Sequence, residues 1–279
     1  MKSRLDKLLA DNGWGSRRDI KRLLRERSLT VNGAACRDPS IHVDPETDAL
    51  ALDGRPLMIR EFVYLMLNKP AGVVTSTSDP DHATVIDLLG EPWASMGLFP
   101  IGRLDRDTEG LLVITNDGPL THRLTAPKSG CPKAYLARLR DPVDEALFRA
   151  YERSFREGGS FHDGYTCMPA SLSRAMKACV ATPGDAMTAA PGADALRDFR
   201  VVIHEGKYHQ VKKMFKAVGN EVAFLKRLSM GGLDLDPALA PGAFRELTPE
   251  EIRLLREGPG GRACGHPRAG AELTAKGDD

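Results

Sequence analysis

The chain has 279 residues, with 39 Lys and Arg against 38 Asp and Glu and a formal net charge of +1, enough for one large domain or two smaller ones that each bury a core. Near-neutrality excludes no class of partner, but the distribution is uneven: residues 1–37 hold ten Lys and Arg against four Asp and Glu, and Asp38, Asp44, Glu46, Asp48 and Asp53 then make the next stretch acidic. The five cysteines, at 36, 131, 167, 179 and 264, are odd in number and form no C-x-x-C pair, which argues against a disulfide framework and a zinc site and points to a reducing compartment. Leu8-Leu9-Ala10 is too short for a signal-peptide core and no apolar run reaches spanning length, so a cytoplasmic protein with no membrane partner is expected.

Residues 3–11 carry Leu5, Leu8 and Leu9 on one helical face. Ser16 opens a second helix with Asp19 at N3, the spacing of a capping box, and Ile20, Leu23 and Leu24 form its apolar stripe. The opposite face is basic, with Arg17, Arg18, Lys21 and Arg25, and Arg4 lies in the same basic segment. Leu29-Thr30-Val31, Asn32-Gly33 and Ala34-Ala35-Cys36 predict a hairpin on a type I′ turn. Two small helices, an Asn-Gly hairpin and a basic second helix resemble an S4 RNA-binding domain, ending near Arg60.

Phe62 to Leu67 reads as a strand ending at the turn Asn68-Lys69-Pro70-Ala71-Gly72, with Lys69 at the turn's edge and available to RNA. Val73 to Ser76 is its expected partner strand. Asp79, Asp81 and His82 share one loop, but three such residues without further spaced ligands rarely close a site, and no metal is assigned. Thr84 to Leu89 is expected to be a short helix stopped by Gly90.

Gly102-Arg103-Leu104-Asp105-Arg106-Asp107-Thr108-Glu109-Gly110 is a charge-dense turn set directly before the β-branched run Leu111 to Thr115, and Asn116-Asp117-Gly118 turns the chain again. A carboxylate at Asp105 is thereby held at the edge of a strand. Half-buried, it needs a cation to stay ionised, and Arg103 is the nearest in sequence. Gly118-Pro119 starts a helix. Lys133 to Leu139 is a strand whose alternation places Tyr135, Ala137 and Leu139 on one face, where Tyr135 is by default a core aromatic. Asp141-Pro142 is expected to cap a helix to about Phe155, and Gly164 to Met176 offers one or two β segments. Residues 181–196, rich in Pro, Gly and small side chains, read as a mobile insertion. Asp198 to His204 is a strand. Lys207 to Val218 is a helix with Val211, Phe215 and Val218 inward and His209, Lys212, Lys213 and Lys216 as a basic stripe, from which His209 and Lys213 are expected to contact RNA. Glu221 to Gly232 continues the sheet, with Lys226 and Arg227 read as phosphate contacts. Thr248-Pro249-Glu250-Glu251 opens a last helix, and the tail from Glu257 is expected to be disordered.

The segment Gly102 to Gly118, with Leu67-Asn68-Lys69-Pro70-Ala71-Gly72 before it and Gly206-Lys207-Tyr208-His209-Gln210-Val211-Lys212-Lys213-Met214 after it, resembles the signatures of the S4-bearing rRNA pseudouridine synthases. The resemblance implies an α+β fold, with an S4-like domain at 1–60 followed by a catalytic domain at 61–256 built on a mixed, mostly antiparallel sheet flanked by helices. It implies that Asp105 is the catalytic residue, that Lys212 pairs with it, that Tyr135 stacks on the target base and that no cofactor is used. It further implies a cytoplasmic monomer acting on ribosomal RNA. Lys212 and the Ser78-Asp79-Pro80-Asp81-His82 run favour the branch whose target is uridine 516 of 16S rRNA, free or in an assembling small subunit. A large-subunit target, a non-catalytic S4-type assembly factor and a metal-dependent nuclease using Asp105 and Asp107 are the alternatives.

Overall fold

A computed structural model describes residues 2–57, 59–126, 129–160, 166–175 and 196–257. The expected insertion at 181–196, apart from Leu196, and the tail beyond Glu257 lie outside the described residues.

The N-terminal part contains β1 (Ser3–Arg4), α1 (Leu5–Asp11), α2 (Arg17–Glu26), β2 (Leu29–Val31), β3 (Ala34–Cys36), β4 (His42–Val43), β5 (Leu50–Leu52) and β6 (Arg55–Pro56). Both halves of the Ser16–Asp19 capping box form at the start of α2, and Asn32 and Gly33 take φ of 52° and 80°, as a type I′ turn demands. Leu5, Leu8, Leu9, Ile20, Leu24, Leu29, Val43, Leu50 and Leu52 close a core of their own over a four-stranded sheet of order β3-β2-β5-β6.

The rest is organised by a nine-stranded sheet containing β7 (Tyr64–Lys69), β8 (Phe99–Pro100), β9 (Glu109–Thr115), β10 (Lys133–Val143), β13 (Ser171–Arg174), β14 (Leu196–Ile203), β15 (Val222–Met230), β16 (Leu233–Asp234) and β17 (Phe244–Glu246). A small ribbon, β11 (Gly159–Ser160) with β12 (Thr166–Cys167), stands apart from it. The main path runs β13-β14-β10-β15-β9-β7-β17, with β16 on β15 and β8 on β9. Every pairing is antiparallel except β15 with β9, giving the mixed, mostly antiparallel sheet expected. Helices α3 (Gly118–Thr125), α4 (Glu145–Glu157), α5 (Gln210–Ala217) and α6 (Pro249–Glu257) complete the domain. Two-residue alternation divides the sheet between two apolar layers: Leu112, Ile114, Tyr135, Ala137, Leu139 and Leu225 pack on one face, and Leu111, Val113 and Met230 on the other. Among the described residues no helix is long and apolar enough to cross a membrane.

Four local expectations are corrected. Thr84 to Leu89 forms turns rather than a helix, because Thr84 and Asp87 bond reciprocally over a stretch too short to propagate. Val73 to Ser76 makes only an isolated bridge, Val74 to Thr84; the places beside β7 are taken by β9 and β17. Strand β10 continues through Pro142, so the cap of α4 is Asp144, whose carboxylate accepts from the Leu147 amide. Finally, α5 begins at Gln210 rather than Lys207, because His209 sits in the left-handed region at φ 53°.

Candidate active site

Asp105 lies on the loop that enters β9, and that loop is clamped to the turn after β7. Thr75 Oγ1 donates to the Leu104 carbonyl at 2.8 Å and accepts from the Leu104 amide at 3.2 Å. The Gly72 amide donates to the Arg106 carbonyl at 2.8 Å, and Arg106 Nε donates back to the Gly72 carbonyl at 3.1 Å. Beneath them Lys69 is fully buried, its ammonium donating to the carbonyls of Pro70, Arg106 and Thr108 at 2.9, 3.2 and 2.9 Å. The expectation that Lys69 contacts RNA is therefore corrected: as the last residue of β7, paired with Gly110 of β9, it points into the loop and ties it down.

Burial pushes the Lys69 ammonium down to about 8, despite opposing attraction from Asp107, Glu109 and Asp105. Its ordinary value is 10.5, so between about pH 8 and 10.5 the unfolded chain binds more protons than the folded one, and this group's contribution to stability grows as pH climbs through that window. Denaturation of wild type and Lys69→Met at about pH 7.5 and about pH 9.5 checks this. The advantage of wild type should widen at the higher pH, and a constant or shrinking gap contradicts it.

The Asp105 carboxylate, 27% exposed, meets α5. Lys212 Nζ stands 3.2 Å from its Oδ2 and 2.6 Å from Oδ1 of Asp107, while His209 Nε2 stands 3.4 Å from Asp105 Oδ1. Burial alone would lower the Lys212 ammonium, but hydrogen bonds to Asp107 and Asp105 outweigh it and hold the pKa above the usual lysine value. Burial works against the Asp107 carboxylate in the same way, and the Lys212 contact outweighs it, leaving Asp107 below its usual range. The cation beside Asp105 is thus Lys212, with His209 flanking. Arg103 is exposed, lines the same cleft and makes no ion pair with Asp105 among the described residues.

The cleft is lined by Asp105, Tyr135, Leu225, Lys133 and Arg227, among others. Tyr135, 6% exposed, belongs both to the apolar layer and to the cleft wall. Arg227, read from sequence as a phosphate contact, is 1% exposed, and Lys226 is 4% exposed. Both sit mid-strand in β15, flanked by β10 and β9 under apolar layers on both faces, so neither is a surface cation. Of the other basic residues, Arg17, Arg18, Lys21 and Arg25 are exposed along one side of α2. Arg4 is held by the buried Asp6 at 3.0 and 2.8 Å. Lys213 lies 5.9 Å from the centroid of Tyr208, which is 70% exposed and stacked on His209. The ligand atoms of Asp79, Asp81 and His82 lie within 4.8 Å of one another, all three residues exposed, and the Asp79 carboxylate accepts from the amides of Asp81 and His82.

Sequence reasoning placed His209 with the RNA contacts and missed its approach to Asp105. It also missed the Lys69 clamp. The signal for the first was available, since the helix predicted over 207–218 sets His209 and Lys212 three residues apart on one face.

A half-buried carboxylate held against a lysine, beside an aromatic wall and behind a basic N-terminal module, defines an enzyme built to act on RNA. The S4 domain model matches residues 3–48 and the model described as RNA pseudouridylate synthase matches residues 63–217; the chain belongs to the RNA pseudouridylate synthase family. It is 45% identical to an uncharacterized RNA pseudouridine synthase of Bacillus subtilis (strain 168), over 91% of this chain and 98% of that protein. It is 41% identical to the ribosomal small subunit pseudouridine synthase A of Escherichia coli (strain K12), over 89% and 98%. A crystal structure of a pseudouridylate synthase superposes with a TM-score of 0.58 at 35% identity, covering 90% of this chain and 99% of that one.

Proposed function

We propose that this enzyme converts one uridine of small-subunit ribosomal RNA, uridine 516 of 16S rRNA, to pseudouridine in the cytoplasm, as a monomer, with Asp105 as the catalytic carboxylate. The observation that carries the reading is the approach of Lys212 to Asp105 on the wall of a cleft that also presents Tyr135. The ribosomal assignment rests on similarity along nearly the whole chain to a relative named for the small ribosomal subunit.

The reaction breaks the bond from N1 of uracil to C1′, turns the base and joins C5 to C1′. It is an isomerisation, so its balance calls for no oxidant and no nucleotide. Positive charge builds on the sugar as the bond breaks, and a carboxylate beside C1′ stabilises it. Asp105 does so either by adding to C1′ or by taking the C2′ proton. Lys212 sets a point positive charge 3.2 Å from Asp105, without the two-pronged geometry an arginine would supply. Tyr135 offers a face for the extruded base, and the exposed cations of α2 meet phosphates.

Two substitutions probe these roles. Lys212→Met should lower kcat by about 10²-fold, against less than about fivefold for Asp107→Asn, whose carboxylate is 73% exposed. Equal effects of the two in single-turnover assays would contradict the assignment. Tyr135→Phe should keep near wild-type activity, whereas Tyr135→Ala should lose about 10- to 100-fold, the equivalent of roughly 1–3 kcal/mol of base stacking. A Tyr135→Phe variant as slow as Tyr135→Ala would show that the hydroxyl, not the ring face, matters. The target is checked by carbodiimide mapping of pseudouridine across both rRNAs in cells lacking the gene. Loss of the signal at position 516 of 16S rRNA is expected, and loss of a large-subunit site instead would overturn the assignment.

A further inference from the structure

Among the described residues Arg227 heads the fully buried side chains by size. The register of β15 sets it opposite Tyr135 of β10 on one side and Gly110 of β9 on the other, between the aromatic wall of the cleft and the strand that carries the Asp105 loop. Its Nε donates to the Leu111 carbonyl at 2.7 Å. Its Nη2 is buried with no hydrogen-bond partner, and the side chain lines the cleft. No carboxylate pairs with it among the described residues. A guanidinium stays charged at any accessible pH, and a buried charge with neither counter-ion nor a full set of hydrogen bonds is costly to keep. Nearby, burial and the Arg227 charge together push the Lys133 ammonium down, so this end of the cleft is already crowded with positive charge. Such a site is complete only when an acceptor with negative character enters it.

We propose that Arg227 Nη2 donates to a carbonyl oxygen of the target uracil and stabilises the negative charge that the ring gains as its bond to C1′ breaks. The inference rests on the reading of Asp105 given above. The N1–C1′ electron pair leaves with the base and spreads onto its O2 and O4, where a donor fixed in a dry site is most effective. When C5 bonds to C1′ the ring is neutral again; the C5 proton is then lost and N1 takes up a proton, so no charge remains on Arg227's acceptor.

The test uses the full-length enzyme and a 16S rRNA transcript in single-turnover assays. Arg227→Lys and Arg227→Gln should lower the rate at saturating RNA by about 10²- to 10³-fold, with the Kd for RNA changed by less than about threefold. Fluorine at C5 of the target makes the departing uracil a better anion, so the defect in bond cleavage should shrink by about tenfold or more on that substrate. A raised Kd with an unchanged saturated rate would make Arg227 a phosphate contact and overturn the proposal. Unchanged rate and Kd would reduce Arg227 to a tie for the Leu111 carbonyl and overturn it equally. Asp105→Asn runs alongside: if it stays active the reading of Asp105 has failed, whereas if it is dead and the Arg227 variants resemble wild type, only this inference has. Should neither Arg227 variant fold, the wild-type enzyme decides. Sulfur in place of O2 or O4 of the target should slow one of the two substrates by about tenfold through the weaker acceptor, and equal rates for all three would overturn the proposal.

Discussion

Asp105→Asn is expected to abolish pseudouridine formation, by about 10⁴-fold or more in the single-turnover rate, and to leave the melting temperature within about 2 °C of wild type. The substitution keeps size and shape and removes one negative charge. Stability survives because Lys212 is not stranded by the change: its ammonium is also 2.6 Å from Asp107, so no unpaired charge is left in a half-buried place. The loop itself is held by Thr75, Gly72 and Lys69 through backbone carbonyls and amides, none of which involves the Asp105 carboxylate. Activity and folding therefore separate at this position. A variant that keeps more than a tenth of wild-type activity would contradict the role given to Asp105, and a large drop in melting temperature would contradict the account of what holds the loop.

Gly110→Ala has the opposite signature. Gly110 is at φ +100°, and a Cβ there would stand 2.2 Å from the Arg227 carbonyl oxygen, 2.8 Å from the Arg227 amide nitrogen and 2.9 Å from Lys226 Cγ. The two backbone atoms belong to a strand flanked on both sides and cannot yield as a flexible side chain would. The expected cost is about 3–5 kcal/mol, from overpacking and the disallowed backbone together, or a fall of about 10 °C in melting temperature for a domain of this size. Gly33→Ala separates the two causes. Gly33 has φ +80° with nothing within 4 Å of its missing Cβ, so it carries the conformational cost alone, about 1–2 kcal/mol. Thermal melts of both variants check the argument, and equal shifts would mean that the approach of β15 to β9 is not what requires glycine at 110.

Much of the fold is legible where a short-range rule decides the structure. The Ser16–Asp19 and Thr248–Glu251 boxes form because each needs only a side chain and an amide three residues away. The Asn32-Gly33 hairpin forms because both residues accept positive φ, and alternation along Lys133 to Leu139 correctly puts Tyr135, Ala137 and Leu139 in one layer. What sequence hides is set at long range. Lys69 and Arg227 look like surface cations, as lysines and arginines usually are. Their burial follows from which strands flank them, and that order, β10-β15-β9-β7, is not written locally. The late start of α5 is hidden similarly, because the left-handed His209 that delays it lies between Asp105 and Tyr208. Gly110 does leave a trace, since an isolated glycine at the head of a β-branched run signals close approach of another backbone.

The site was legible in part. The family resemblance carried by the Gly-Arg-Leu-Asp turn and the distant His-Gln-Val-Lys segment implies that Asp105 and Lys212 meet, and the structure sets them 3.2 Å apart. Arg103, chosen for its nearness in sequence, is not that partner. Arg103 is exposed on the loop, while a helix packed in the same apolar layer as Leu104 and Tyr135 supplies the cation.

The most direct test of the account is release of tritium from rRNA labelled at C5 of uridine, because the C5–H bond is broken only if the base is turned and rejoined through carbon. Purified wild-type protein incubated with 16S rRNA transcript should release one equivalent of label per transcript, at a rate that Asp105→Asn reduces below detection. Release by Asp105→Asn at a rate comparable to wild type, or cleavage of the strand without release, would contradict the account.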